Sequence, residues 1–213
     1  VQDGVRRTQQ VVESSGKSIE DVFDKIKSLA NTAFVGFTAK EFITTLANVR
    51  GEFQQLEVAF NTMLGSKEKA DALMGQLVEL AATTPFDLKG VASGAKQLLA
   101  YGLEAEKVTD TMRRLGDIAA GLGLQIGDLA WLYGTTLTQG RMYTEDLNQF
   151  TGRGIPMIAE LAKQFGVAES EVKQLVTDGK VGFPQVEEAI KNLTDEGGKF
   201  GGLMEAQSHT IIG

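Results

Sequence analysis

Residues 151–166 read TGRGIPMIAELAKQFG. Two glycines flank Arg153, Pro156 follows, and Ile158, Leu161, Ala162 and Phe165 then recur at helical spacing before Gly166. A glycine-rich turn feeding a helix N-terminus can hold an anion, because free backbone N–H groups and the helix dipole both point at it. The same residues between two helices make a structural corner. Pro156 removes one N–H at the helix start, and no partner acid, base or metal ligand stands nearby in sequence. The stretch therefore reads as a corner joining helices, with a protein contact favoured over a phosphate site.

The neighbouring sequence carries the same punctuation. The chain has only three prolines, and each stands where a helix can begin. Thr84-Pro85-Phe86-Asp87 reads as a cap, a proline at the first helical position and an acid in the first turn. Pro156 and Pro184 are likewise placed at helix starts. Gly102, Gly166 and Gly179 each follow an apolar-periodic run, the usual place for a helix to stop. Further helices are expected over about 104–121, 125–138, 143–150 and 168–178, the last without a good cap because Ala168 stands where Ser or Thr is expected. Ser66 is expected to cap a helix with Glu68 in its first turn.

Towards the N-terminus, Ile19, Val22, Ile26, Leu29 and Ala33 step at helical spacing. Phe42, Leu46, Val49, Phe53, Leu56, Phe60 and Met63 make three heptads of an apolar seam. Three phenylalanines are bulky for a two-stranded coil, so the seam reads as a helix face packed on its own domain, with self-association as the lesser reading. No alternating Val/Ile/Thr-rich run is bounded by a hairpin dipeptide. The expectation is an all-α fold, a compact multi-helix domain of about ten helices with a long N-terminal helical segment. Residues 1–38 would form that segment, coiled-coil-like, and 39–213 the compact module.

Composition agrees with a globular class. Of 213 residues, 42% are hydrophobic and 23% charged, more apolar than disordered chains. Lys plus Arg number 21 and Asp plus Glu 28, a net charge of −7, so no direct nucleic-acid binding is expected. There is no cysteine, which excludes disulfides, thiolate catalysis and Cys-type zinc sites. The opening VQDGVRRTQQ has no apolar core of a signal peptide, and both ends look like cuts through a longer protein. Between Arg114 and Arg141 the only charges are Asp117 and Asp128. That interval reads as a buried helix pair, with a membrane-active segment over 115–140 as a minority reading.

The candidate chemistry is thin. Gly16-Lys17-Ser18 resembles the tail of a phosphate-binding loop, but Val11 stands where that loop needs glycine. Gly121-Leu122-Gly123 with Gly127 is one residue too long for a dinucleotide fingerprint and follows a helix. The only histidine, His209, has no elbow serine or second metal ligand spaced for it. The acidic pairs Glu145-Asp146, Glu187-Glu188 and Asp195-Glu196 point about 100° apart on a helix and do not converge on one atom. The reading is no catalytic, cofactor-binding or metal-ligating residues, no cofactor, and no enzyme.

Four blocks resemble a known family: TTPFDLKGVASGAKQLLAYGLEAEKV, RRLGDIAAGLG, QGRMYTEDLNQFTGRGIPMIAELAKQFGV and KVGFPQVEEAIKNLTDEGGKF. In this order they are similar to the N-terminal region of tail tape measure proteins of long-tailed bacteriophages and prophages, over roughly 39–213. The resemblance implies a structural part of the virion tail that lies in the lumen of the tail tube, after assembly in the bacterial cytoplasm, and sets tail length. It also implies tail-tube, baseplate or tip proteins and assembly chaperones as partners. An unbroken helix of the whole chain would span about 320 Å at ~1.5 Å per residue. The prolines and stopping glycines forbid that, so the expectation is an end module for docking, with the measuring rod elsewhere. The rivals are a helical cell-wall hydrolase, marked by two facing carboxylates with perturbed pKa values, and the membrane-active segment, marked by liposome leakage.

Overall fold

The structure is a computed structural model. It describes residues 54–82 and 84–212, with side chains to residue 207. Gly16-Lys17-Ser18, the Ile19–Ala33 run, the seam upstream of Leu56, the expected 1–38 segment and the His209 side chain lie outside the described residues.

Residues 54–64 are helical. Nine further helices follow among the described residues: α1 Lys67–Ala82, α2 Leu88–Ala100, α3 Ala105–Leu122, α4 Ile126–Gln139, α5 Thr144–Gly152, α6 Met157–Phe165, α7 Glu169–Thr177, α8 Phe183–Thr194 and α9 Leu203–Ile212. The described residues contain no strand. One isolated antiparallel bridge pairs Arg141 with Gly182. There the Met142 N–H donates to Val181 O (2.9 Å) and the Phe183 N–H to Gly140 O (3.0 Å). The all-α expectation holds.

The core follows from the apolar stripes. Leu73 and Leu77 of α1, Val91, Ala95 and Leu98 of α2, and Leu115 and Ile118 of α3 are all buried. α2 and α4 form the most extensive pair. Their close approach depends on Gly134, because a Cβ there would lie 2.1 Å from Cδ2 of Tyr101. The Arg114–Arg141 interval forms α3 and α4, with Leu129, Leu132 and Ile118 fully enclosed. It is thus a buried helix pair, and no helix among the described residues is long and apolar enough to cross a membrane. In the described end of the heptad seam, Phe60 is buried and Leu56 packs against the core, while Met63 is exposed.

Helix ends match the glycine signals. Gly166 caps α6 in the left-handed region (φ 67°), and Gly102 and Gly179 have φ 93° and 72° just past α2 and α7. Of the prolines, only Pro85 required correction. α2 begins at Leu88, not Pro85, because the Asp87 carboxylate accepts from the Gly90 N–H at 2.8 Å and makes Asp87 the cap. The Thr84 hydroxyl is buried and has no hydrogen-bond partner. Pro156 caps α6 from outside, and Pro184 is the second residue of α8.

Three helices are closed from within. Asp146 Oδ2 accepts from the Tyr143 N–H (2.9 Å), Glu171 Oε2 from Ala168 (3.0 Å) and Gln185 Oε1 from Gly182 (2.9 Å). The third residue of each helix thus reaches back to the cap backbone, half of a capping box. This is why α7 tolerates Ala168. Asp87→Ala is expected to cost about 1 kcal/mol, a fall of roughly 2–4 °C in Tm by calorimetry for a chain of this size.

Candidate functional site

The TGRGIP stretch leaves α5 and enters α6. The Arg153 N–H donates to Phe150 O (3.2 Å), Gly154 to Thr151 O (2.9 Å) and Ile155 to Phe150 O (3.1 Å). Gly154 takes φ 87°. Pro156 sits at φ −78°, ψ 52°, and the Met157 N–H donates across it to Ile155 O at 2.7 Å, the geometry of an inverse γ-turn. The N–H groups of Arg153, Gly154, Ile155 and Met157 are thus bonded to backbone carbonyls. The Arg153 Nη1 turns back onto Gln149 O at 3.0 Å. Ile155 and Met157 are buried on either side of the proline. The stretch is a corner, anchored by those two side chains.

The other candidate positions are equally structural. Gly121 lies inside α3, and Gly123 ends that helix at φ 67°, ψ 34°. Gln125 then opens α4, so the segment is a helix–helix turn. Glu145 is exposed while Asp146 is buried as the α5 clasp. Glu187 and Glu188 share α8, the first half-buried and the second exposed. Asp195 and Glu196 follow α8 in the open.

Among the described residues two carboxyls are raised above their usual pKa range, Asp117 and Asp146, in both cases chiefly by burial. Neither faces a second carboxylate across a cleft. Asp146 clasps α5, and Asp117 Oδ1 accepts from the Met204 N–H at 3.0 Å. Asp117 thereby holds the start of α9 from a position 87 residues away. Sequence reasoning singled out Asp117 only as a rare charge in an apolar interval. That rarity is the signal which marks it, since a buried charge must find donors.

A cleft of about 200 Å³ runs between α3 and α8, floored by Tyr133. Tyr133 is buried, bonds Thr111 and meets Phe183 edge-on at 5.1 Å. Burial raises its phenol well above the usual range, so it stays neutral. The rim alternates charges: Glu106, Lys107, Asp110 and Arg114 on α3, Glu187 and Lys191 on α8. Arg114 reaches Asp110 (2.8 Å), Thr194 Oγ1 (3.1 Å) and Asp195, tying α3 to the end of α8.

The formal charge is uneven along the sequence. Residues 1–53 hold seven acids and seven bases, so the whole excess of seven acids lies in 54–213. α6 and α7 are joined by the three-residue turn Gly166-Val167-Ala168, as in a helix–turn–helix. The exposed residues of α7 include Glu169 and Glu171 against Lys173 alone.

The comparisons with known proteins point to one family. Residues 44–213 match the protein family described as "Tape measure protein". The chain is 27% identical over 171 residues to the "Probable tape measure protein" of Escherichia phage Mu, covering 77% of this chain and 24% of the relative. It thus spans about a quarter of the length of that relative. No solved structure matches. Since the family match takes in every described helix from α1 to α9, the chain belongs to the tape measure protein family.

Proposed function

We propose that residues 39–213 form a non-catalytic docking module of a phage tail, which helps tail assembly and length determination without measuring the length itself. The observation that carries this reading is the size of the helices. The longest described helix, α3, has 18 residues and spans about 27 Å at ~1.5 Å per residue. A ruler needs length in proportion to sequence, and a chain folded back on itself some ten times does not supply it. The partners that suit the reading are tail-tube, baseplate or tip proteins and assembly chaperones, met in the tube lumen or during assembly in the cytoplasm. Residues 1–38 would lead out of the module as a helical segment. The acidic excess in 54–213 favours basic partner surfaces.

Tandem duplication of residues 84–207 in the encoding phage or prophage tests this. Electron microscopy is expected to show tails of unchanged length. Tails lengthened by about 190 Å, the reach of the added residues as one helix, would show that the segment measures. Deleting the same residues is expected to abolish tails rather than shorten them.

A further inference from the structure

We propose that the exposed face of α4 is a docking point for an arginine of a basic partner protein, received by the Trp131 ring and the Asp128 carboxylate together. The proposal rests on the docking reading above and names one contact of it. Four large hydrophobics are exposed among the described residues: Val58, Met63, Trp131 and Tyr143. Val58 and Met63 belong to the 54–64 helix, which adjoins residues outside the described ones. Tyr143 already holds a cation, with Arg141 Cζ 4.2 Å from its ring centre. Trp131 is 39% exposed, and among the described residues no cation or second ring lies against it.

The rest of that face leaves the ring open. At about 100° per residue, Gly127, Asp128, Thr135 and Thr138 fall within about 60° of Trp131 around α4. Gly127 has no side chain, and a Cβ there would meet nothing within 4 Å. The Thr135 hydroxyl donates to Trp131 O (2.8 Å) and the Thr138 hydroxyl to Gly134 O (3.1 Å), so both are satisfied within α4. Asp128 is exposed, and its carboxylate has no hydrogen-bond or ion-pair partner among the described residues. In this it differs from Glu104, Asp110 and Glu187, each paired at 2.8–3.9 Å with a base three or four residues away. An acid in the first turn suits the helix dipole. That accounts for Asp128, but not for an uncovered indole beside it.

The chemistry of the pair selects the partner. Side chains three apart on a helix have Cβ atoms about 5–6 Å from each other. A guanidinium matches that spacing. Its plane stacks on the indole face, within about 6 Å of the ring centre, while its N–H fork donates to the carboxylate. An ammonium has neither the plane nor the fork. The excess of seven acids in 54–213 draws the basic surface that carries such an arginine.

Replacing Trp131 with the photo-cross-linking residue p-benzoylphenylalanine, in the phage or prophage that encodes the chain, reads the contact in infected or induced cells. Mass spectrometry of the adduct is expected to place the new bond on a different protein, immediately beside an arginine. In that background Asp128→Asn is expected to lower the cross-link yield per copy about 10-fold, the factor set by losing a charged hydrogen bond. Glu145→Gln, at another exposed acid, should leave the yield unchanged. An adduct with a second copy of this chain, with lipid, with DNA or with a site that has no arginine beside it would overturn the proposal. So would the absence of any adduct, or a yield that Asp128→Asn does not lower. Tails lengthened by the duplication would sink the docking reading instead, and the adduct still decides this contact.

Discussion

Gly198→Ala is expected to destabilise the protein by about 3 kcal/mol or more, a fall of roughly 10 °C in Tm. A Cβ at this position would lie 2.5 Å from Asn192 O and 2.7 Å from both C and O of Leu193. These are backbone atoms at the end of α8, not movable side-chain tips, so the loop itself must lift. That loop, DEGGKFGG, folds over the end of α8, with the Phe200 N–H donating to Leu193 O at 2.8 Å. Phe200 is 2% exposed and lies against Gly121 of α3, where a Cβ would meet its ring at 2.8 Å. Lifting the loop withdraws Phe200 and loosens α9, and burial of one such side chain is worth about 1.5–3 kcal/mol. The neighbouring Gly197→Ala is the control. Its φ is 84° and nothing lies within 4 Å of its Cβ position, so its cost is the left-handed strain alone, about 1–2 kcal/mol. Thermal unfolding of the two variants checks the order. Equal losses would mean that chain flexibility, not the close approach of backbone to backbone, explains these glycines.

Asp117→Ala is expected to cost about 1–3 kcal/mol, since it strands a buried N–H at the start of α9. Asp117→Asn keeps an acceptor oxygen and is expected to lose less than half as much. pH separates the two effects. Burial raises the Asp117 carboxyl above its ordinary 3.8, against the N–H groups of Met204 and Gly202 and the charges of Arg113 and Arg114. A raised folded-state pKa means that the native state holds the proton more firmly than the unfolded state does. The contribution of Asp117 to stability is therefore greatest at acid pH and is lost as pH rises through the folded value. Asparagine has no proton to lose. The stability of Asp117→Asn relative to the parent should therefore climb between pH 4 and pH 7, as measured by urea unfolding. A difference that stays flat or falls would show that the carboxylate is not carrying a burial penalty.

Much of this fold could be read one helix at a time. The stopping glycines Gly102, Gly166 and Gly179 lie where the runs before them implied, and the expected 125–138 helix is Ile126–Gln139. The TGRGIP corner was legible too, because its proline and glycines act on their own backbone. The cap of α2 was misplaced by three residues, since Thr84 and Asp87 both suit the role. What separates them is that Asp87 reaches the Gly90 N–H. The closing of α5, α7 and α8 by their third residues had a signal in sequence, an acid or amide three places after the cap, at positions where attention to the cap residue alone finds Tyr143, Ala168 and Gly182.

The sequence by itself determined that the described residues are helical and broken into short lengths. Helix periods, stops and starts depend on groups within a turn or two of each other, and those groups are adjacent in the chain. Only the tertiary structure decided that Arg114 holds the end of α8, that Asp117 holds the start of α9, and that Gly198 admits no side chain. The two bonds join residues 80 and 87 positions apart. Which donor meets which acceptor at that separation is fixed by how the helices pack, and no local pattern encodes it.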